Sequence, residues 1–207
     1  MKRVISVCVL LVLAAVVFSA CSSTPRVTRV GTDTPIDLSG RWNDHDARTV
    51  SSSLIQDSLS APSITQFIQQ FYAQTGRRPA ALVGTFRNDS SEHIDTTIIS
   101  RAMEIAIVNS GQLDFVAGGT TREEIRNERH DQLLFASDET AAALANETGA
   151  ILLLTGSINS IVDRAGNTTV RSYFVTAEFT NIETNRRLWM GENSEIRKVI
   201  RQPARRL

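Results

Sequence analysis

Two cysteines and three histidines are the side chains of this 207-residue chain best suited to nucleophilic or metal chemistry. Both cysteines, Cys8 and Cys21, lie at the start. From Ser22 onward there is no thiol for a disulfide, a thiolate metal site or a nucleophile. Zinc-finger, iron–sulfur, thioredoxin-like and papain-like chemistry are thereby excluded. His45 stands between Asp44 and Asp46, a triplet that could be read as metal ligands. Its spacing is wrong for a helical zinc pair, and helix starts favour acidic residues in any case. His93 lies in Ser91-Glu92-His93-Ile94-Asp95, an acid/base composition within a polar loop that leads into a helix. His130 follows Arg122, Glu123, Glu124, Arg126, Glu128 and Arg129, the mixed charge of a solvated or docking helix face. No nucleophile elbow, Walker loop, dinucleotide fingerprint or HExxH motif occurs. We therefore expect no catalytic residue, no cofactor and no metal.

Charge supports the same direction. Lys plus Arg and Asp plus Glu both number 22, so no global field favours nucleic acid. The informative segment is the first one. Lys2 and Arg3 precede an almost wholly apolar run from Val4 to Phe18, and small residues follow. This is the layout of a secretory signal over residues 1–20. As a helix the run spans about 22 Å, short of a bilayer core of about 30 Å. Phe18-Ser19-Ala20-Cys21 resembles a bacterial lipobox, which makes Cys21 the expected lipidated first residue of the mature chain. Ser22, in place of Asp, points by the sorting rule to the outer membrane. Residues 21–38 contain Pro25, Pro35, Ser, Thr and Gly and read as a flexible tether. It would reach at most about 60 Å extended.

The elements that must position the polar residues follow from periodicity. Structure is expected to begin near Trp42, with Asn43 or Asp44 capping a helix that carries Val50, Leu54, Ile55 and Leu59. Trp42 reads as a hydrophobic staple at that helix or, if exposed beside Arg41, as a binding anchor. A second helix after Pro62 bears Ile64, Phe67, Ile68, Phe71 and Tyr72 and stops at Gly76. A strand over 80–86 precedes the polar loop containing Arg87, Asn88, Glu92 and His93. Asp95 caps a helix through Asn109 whose buried face is read as Ile98, Ile99, Ala102, Met103, Ile105 and Ala106. A strand over 113–116 comes next. Thr121 with Glu124 suggests a capping box for a charged helix to about Gln132, and Ser137 or Asp138 begins another. Three strands close the chain: 151 to about 162, 169–182 and 187–199. In the middle one Tyr173, Val175, Ala177 and Phe179 face one way, and Thr176, Glu178 and Thr180 the other. Helix-separated early strands and hairpin-joined late ones predict a single α/β domain, residues 39–207, with a mixed β-sheet flanked by helices.

Four stretches then acquire a common meaning: DLSGRWN from Asp37, VGTFRNDSSEHID from Val83, LTGSINSI from Leu154 and IETNRRLW from Ile182. Their order and spacing resemble the penicillin-binding protein activator family, the LpoB-like outer-membrane lipoproteins. The resemblance covers roughly Asp37 to Lys198. It implies a compact domain similar to the N-terminal domain of TolB. It also implies a non-catalytic role, binding and stimulating a bifunctional peptidoglycan synthase, a penicillin-binding protein. The chain is expected to be a monomer held by the lipid on Cys21, its domain facing the periplasm. The best-known members have a long disordered tether; the one here is short. The expected partner-binding residues are Trp42, Arg87, Asn88, Glu92 and His93, with Arg122 and Arg126 as a second candidate face. The alternative is a structural or export-associated envelope lipoprotein with a CsgG-related periplasmic domain, although no spare barrel hairpins are apparent.

Overall fold

The computed structural model describes residues 28–31, 34–134 and 149–203, with the backbone alone at 119–120 and 129–134. The signal segment, Cys21 and the helix expected after Ser137 or Asp138 lie outside the described residues. One compact unit starts at Pro35. Ahead of it, Thr34 N–H donates to the Gly31 carbonyl at 3.1 Å.

Helix α1, Asp44–Ser60, starts where its polar residues can satisfy free backbone donors. Asn43 Oδ1 accepts from Asp46 N–H at 3.0 Å, and Asp46 Oδ2 accepts from Asn43 N–H at 2.9 Å. This reciprocal capping box is the role of the Asp-His-Asp triplet. Val50, Leu54, Ile55 and Leu59 form the buried stripe, as their spacing requires. Helix α2, Pro62–Thr75, has proline in its first turn and ends at Gly76 in the left-handed region, φ 69°. Of its apolar stripe Ile64 is buried, Phe67 and Ile68 pack partly, and Tyr72 is exposed. The helix therefore lies at the rim of the core.

Strand β1, Ala80–Asn88, leads to α3, Thr96–Ser110. Asp95 caps α3, its Oδ1 accepting from Thr97 N–H at 3.0 Å. The buried face of α3 differs from the expected one. Ile99, Met103 and Ile107 are buried, whereas Ile98 and Ile105 are exposed. The stretch is apolar on more than one side, so periodicity alone does not choose; packing against β1 and α1 does. Ile105 instead lines a groove of about 650 Å³ between α1 and α3.

Strand β2 is Asp114–Phe115, and α4 is Gly119–Leu134. Because α4 begins at Gly119, Thr121 lies inside it and is not its N-cap. Strands β3, Leu152–Ala165, and β4, Thr168–Asn181, form a long hairpin turning at Gly166 and Asn167. The expected last strand divides into β5, Arg187–Asn193, and β6, Arg197–Arg201. Asn193 Oδ1 accepts from Glu195 N–H at 3.3 Å across the break. Both pieces pair antiparallel with β4, β5 along its C-terminal half and β6 along its N-terminal half.

The sheet runs β2-β1-β3-β4-β5 with β6 also on β4. β1 is parallel to β2 and β3, and the remaining pairs are antiparallel. The α/β architecture with a mixed sheet is thus as expected. One face carries Phe86, Leu154, Ile158, Tyr173, Val175 and Phe179 into the core with α1 and α3. Full burial of each such aliphatic or phenylalanine side chain contributes about 1.5–3 kcal/mol. The opposite face presents Thr155, Ser157, Thr176 and Glu178, whose register partners alternate with the core residues.

Candidate functional site: a pinned polar loop

The loop after β1 is polar, yet it is built into the fold. Asn88 organises it locally. Its Nδ2 donates to the Glu92 carbonyl at 2.8 Å and to that of Ile94 at 3.4 Å. Its Oδ1 accepts from Ser90 N–H at 3.1 Å and from the Ser90 hydroxyl at 2.6 Å. This is the turn chemistry for which Asn and Ser are suited. Strand β3 holds the loop from one side: Asp89 N–H donates to the Ile158 carbonyl at 2.9 Å, and Ser91 N–H to Ser160 Oγ at 3.3 Å.

Strand β4 holds it from below. Glu92 turns inward, where its Oε1 accepts from Arg171 Nη1 and from the Tyr173 hydroxyl, the latter at 3.0 Å. The Glu92 and Arg171 side chains are 9% and 14% exposed. A pair so shielded retains its Coulomb attraction, and losing either partner leaves a charge in a poor solvent. Burial, then the charge and hydrogen bond of Glu92, push the Tyr173 hydroxyl up to about 12. Glu92, expected as a surface contact, is therefore a structural anchor.

Trp42 completes the arrangement. Its ring meets that of Tyr173 edge-on, centroids 5.3 Å apart. It is half-buried and packed against β4, rather than an exposed anchor. Trp42, Glu92 and His93 line one recess of about 190 Å³ together with Arg41, Asp44 and Ile98. His93 is exposed at its rim. Asp95, also exposed, has its carboxyl held below the usual range by the Thr97 hydroxyl and backbone N–H.

The segment ahead of α1 is fixed by a lysine that the sequence reading did not single out. Lys198 Nζ lies 2.5 Å from Asp46 Oδ2 and 2.6 Å from Asp37 Oδ1, and donates to the Arg41 carbonyl at 2.9 Å. The Lys198 side chain is 9% exposed. Its hydrogen bond holds the Asp37 carboxyl below the ordinary value. The ordered domain consequently begins before Trp42, and Asp37, expected in the tether, belongs to it.

The remaining candidates separate from this recess. Arg87 is exposed, 3.5 Å from Asp89, and lines a depression of about 570 Å³ on the other face of the sheet with Ser157, Thr176, Glu178, Arg187 and Met190. Arg122 is half-buried and Arg126 exposed on α4. The structure thus brings Trp42, Asn88, Glu92 and His93 together, sets Arg87 at the end of the same loop, and places Arg122 and Arg126 on a different element. Arg171 was missed, although it occupies the inward register of β4, two residues before Tyr173. A cation in a buried register demands a carboxylate, and that was the available signal. Among the described residues, no three His, Cys, Asp or Glu side chains gather as a metal ion would need.

A sequence search of curated proteins finds no match. Solved structures similar to this chain include the LpoB C-terminal domain from Escherichia coli, at 15% identity and a TM-score of 0.45, covering 76% of this chain and 99% of that one. The LpoB C-terminal domain from Salmonella enterica has the same identity and coverages with a TM-score of 0.41. Lipoprotein GNA1162 from Neisseria meningitidis follows at 14% identity and a TM-score of 0.38, covering 58% of this chain and 83% of that one. A family model described as peptidoglycan-synthase activator LpoB matches residues 46–194, more than half of the chain and all of the pinned loop with its β4 anchors. The chain belongs to the LpoB family of peptidoglycan-synthase activators.

Proposed function

We propose that this protein is a non-catalytic outer-membrane lipoprotein, anchored through Cys21 with its domain in the periplasm, that binds and activates a class A penicillin-binding protein. The observation that carries the reading is the family match over residues 46–194, which spans both the loop and the residues that hold it. Residues 1–20 act as the signal and residues 21 to about 34 as the tether. Arg87, Asn88 and His93 supply the docking loop, with Glu92 and Trp42 fixing its shape from beneath. A loop already held in one conformation loses little entropy on binding, so its contacts translate into affinity. As a monomeric regulator, the protein needs only this surface and no reacting group.

The test is direct. The chain from Ser22 onward, added to a class A penicillin-binding protein from the same cell, is expected to bind it and raise its glycan-polymerising or crosslinking rate. Failure to bind any such synthase contradicts the proposal. Separately, Cys21→Ser is expected to release the protein from membranes; unchanged fractionation refutes the anchor.

A further inference from the structure

The β6 end of the domain combines three features that the synthase reading does not use. The first is charge. Strand β6 carries Arg197, Lys198 and Arg201 and no Asp or Glu. Lys198 is buried with Asp37 and Asp46, whereas Arg197 and Arg201 are exposed.

The second is the face on which they stand. Register places Ile161, Ser172 and Arg197 in one row, Asp163, Val170 and Val199 in the next, and Ala165, Thr168 and Arg201 in a third. All nine project from the sheet face turned away from α1 and α3. Ile161 is 61% and Val199 56% exposed. Asp163 is the one carboxylate of these rows. Arg197 Nε donates to Ser172 Oγ at 3.2 Å, which holds its guanidinium beside β4 on this face. Cations beside exposed aliphatic groups are what an anionic interface attracts and then admits.

The third is position. The first residues of the compact unit lie along β6: Asp37 and the Arg41 carbonyl bind Lys198. Gly40, at φ 63°, approaches Ile200 so closely that a Cβ there would stand 2.3 Å from Ile200 Cγ1. Lys198 and Ile200 alternate with Arg197, Val199 and Arg201, so the chain leading back to Cys21 leaves from the β6 end of the domain on the helix side of that strand, not from its outer face. From Pro35 to Cys21 it would span about 50 Å extended and average about 20 Å as a coil. An anchor that short concentrates this end of the domain at the bilayer.

We infer that the outer face of β6 and the β3–β4 hairpin is a membrane-facing surface that binds anionic phospholipid headgroups. The inference takes its setting from the anchor proposed at Cys21, but its test dispenses with that anchor. The chain from Ser22 onward with Cys21 removed, which retains the whole compact unit, is sedimented with vesicles of phosphatidylcholine alone or mixed with phosphatidylglycerol. It binds the mixed vesicles, binds them less at high salt, and ignores the neutral ones. Arg197→Ser with Arg201→Ser lowers the partition about 25-fold, near five-fold per cation. Arg197→Lys with Arg201→Lys retains it, and so does Arg77→Ser with Arg78→Ser at the far end of the sheet. Melting temperatures of all variants are compared, so that a folding defect is not read as lost binding. Equal binding to both vesicles, or an equal loss from the Arg77 and Arg78 pair, overturns the inference. So does a preference for purified peptidoglycan over vesicles. Synthase affinity is unchanged in the Arg197 and Arg201 serine variant, so a failure here leaves the proposed function standing; a fall in that affinity reassigns the surface and also overturns the inference.

Discussion

The loop from Asn88 to Asp95 and helix α4 have similar compositions and opposite constructions. Each is rich in charged residues and contains a histidine. In the loop, polar groups turn inward: Asn88 binds the loop's own carbonyls, Ser91 reaches Ser160, and Glu92 is buried with Arg171 and Tyr173. Along α4, Thr121 and every residue from Glu123 to Glu128 are exposed, Ile125 included, with Arg122 half-buried. Two segments that read alike as candidate docking faces therefore differ in what their charges hold. In the loop, inward-turned groups set a shape; on α4 the charged side chains stand at the surface. A preformed surface and a solvated helix should also respond differently to mutation.

The largest separation is expected from the buried pair. Arg171→Met leaves Glu92 without its cation and should destabilise the domain by about 3 kcal/mol in chemical denaturation. If it costs no more than a surface change, the loop is not pinned as described. Trp42→Ala removes the edge-on contact with Tyr173 and the lining of the recess. We expect a loss of about 2 kcal/mol, and amide exchange at 88–95 that rises with it. Tyr173→Phe deletes one hydrogen bond to Glu92 and should cost about 1 kcal/mol at neutral pH.

The same tyrosine makes a pH prediction. Its folded value is raised to about 12, above an ordinary value near 10. The stabilisation it contributes is fully present below pH 10 and is lost as pH rises toward about 12. Denaturation midpoints of the wild type should fall across that window, and the Tyr173→Phe midpoints should lack this component. At the small end, Arg126→Ala on α4 is expected to alter stability by less than about 0.5 kcal/mol. A cost comparable with that of Arg171→Met would erase the contrast between the two regions.

The sequence disclosed the fold's outline because its punctuation is local. Asn43, Asp95, Gly76 and Gly111 cap or end their helices through neighbours two to four residues away. The alternation in β4 marked Tyr173, Val175, Ala177 and Phe179 as core. The remainder depended on tertiary choices. Ile98 and Ile99 are equally apolar, and only the position of β1 and α1 decides that Ile99 is the buried one. The run from Arg187 to Val199 is suited to strand throughout, and the break after Asn193 is set by how far β4 offers each piece a partner.

The candidate site was legible in position but not in role. Arg87, Asn88, Glu92 and His93 stand out as a polar loop between a strand and a helix. That Glu92 points inward depends on Arg171 and Tyr173, about 80 positions later. Lys198 likewise meets Asp37 and Asp46 from the far end of the chain. In each case the visible clue is a cation in a strand register that should be apolar, and the search for its carboxylate identifies which polar residues are structural.

The central claim is that this pinned loop presents Arg87 and His93 to a peptidoglycan synthase. The most direct measurement is the affinity of the Arg87→Ala, His93→Ala double variant for the class A penicillin-binding protein that the wild type binds, alongside its melting temperature. Both side chains are exposed, so the melting temperature should hold within about 2 °C. Affinity should fall at least ten-fold, with a matching loss of stimulation. An unchanged affinity in a normally folded variant would contradict the account and move the docking surface elsewhere, with α4 the first place to look.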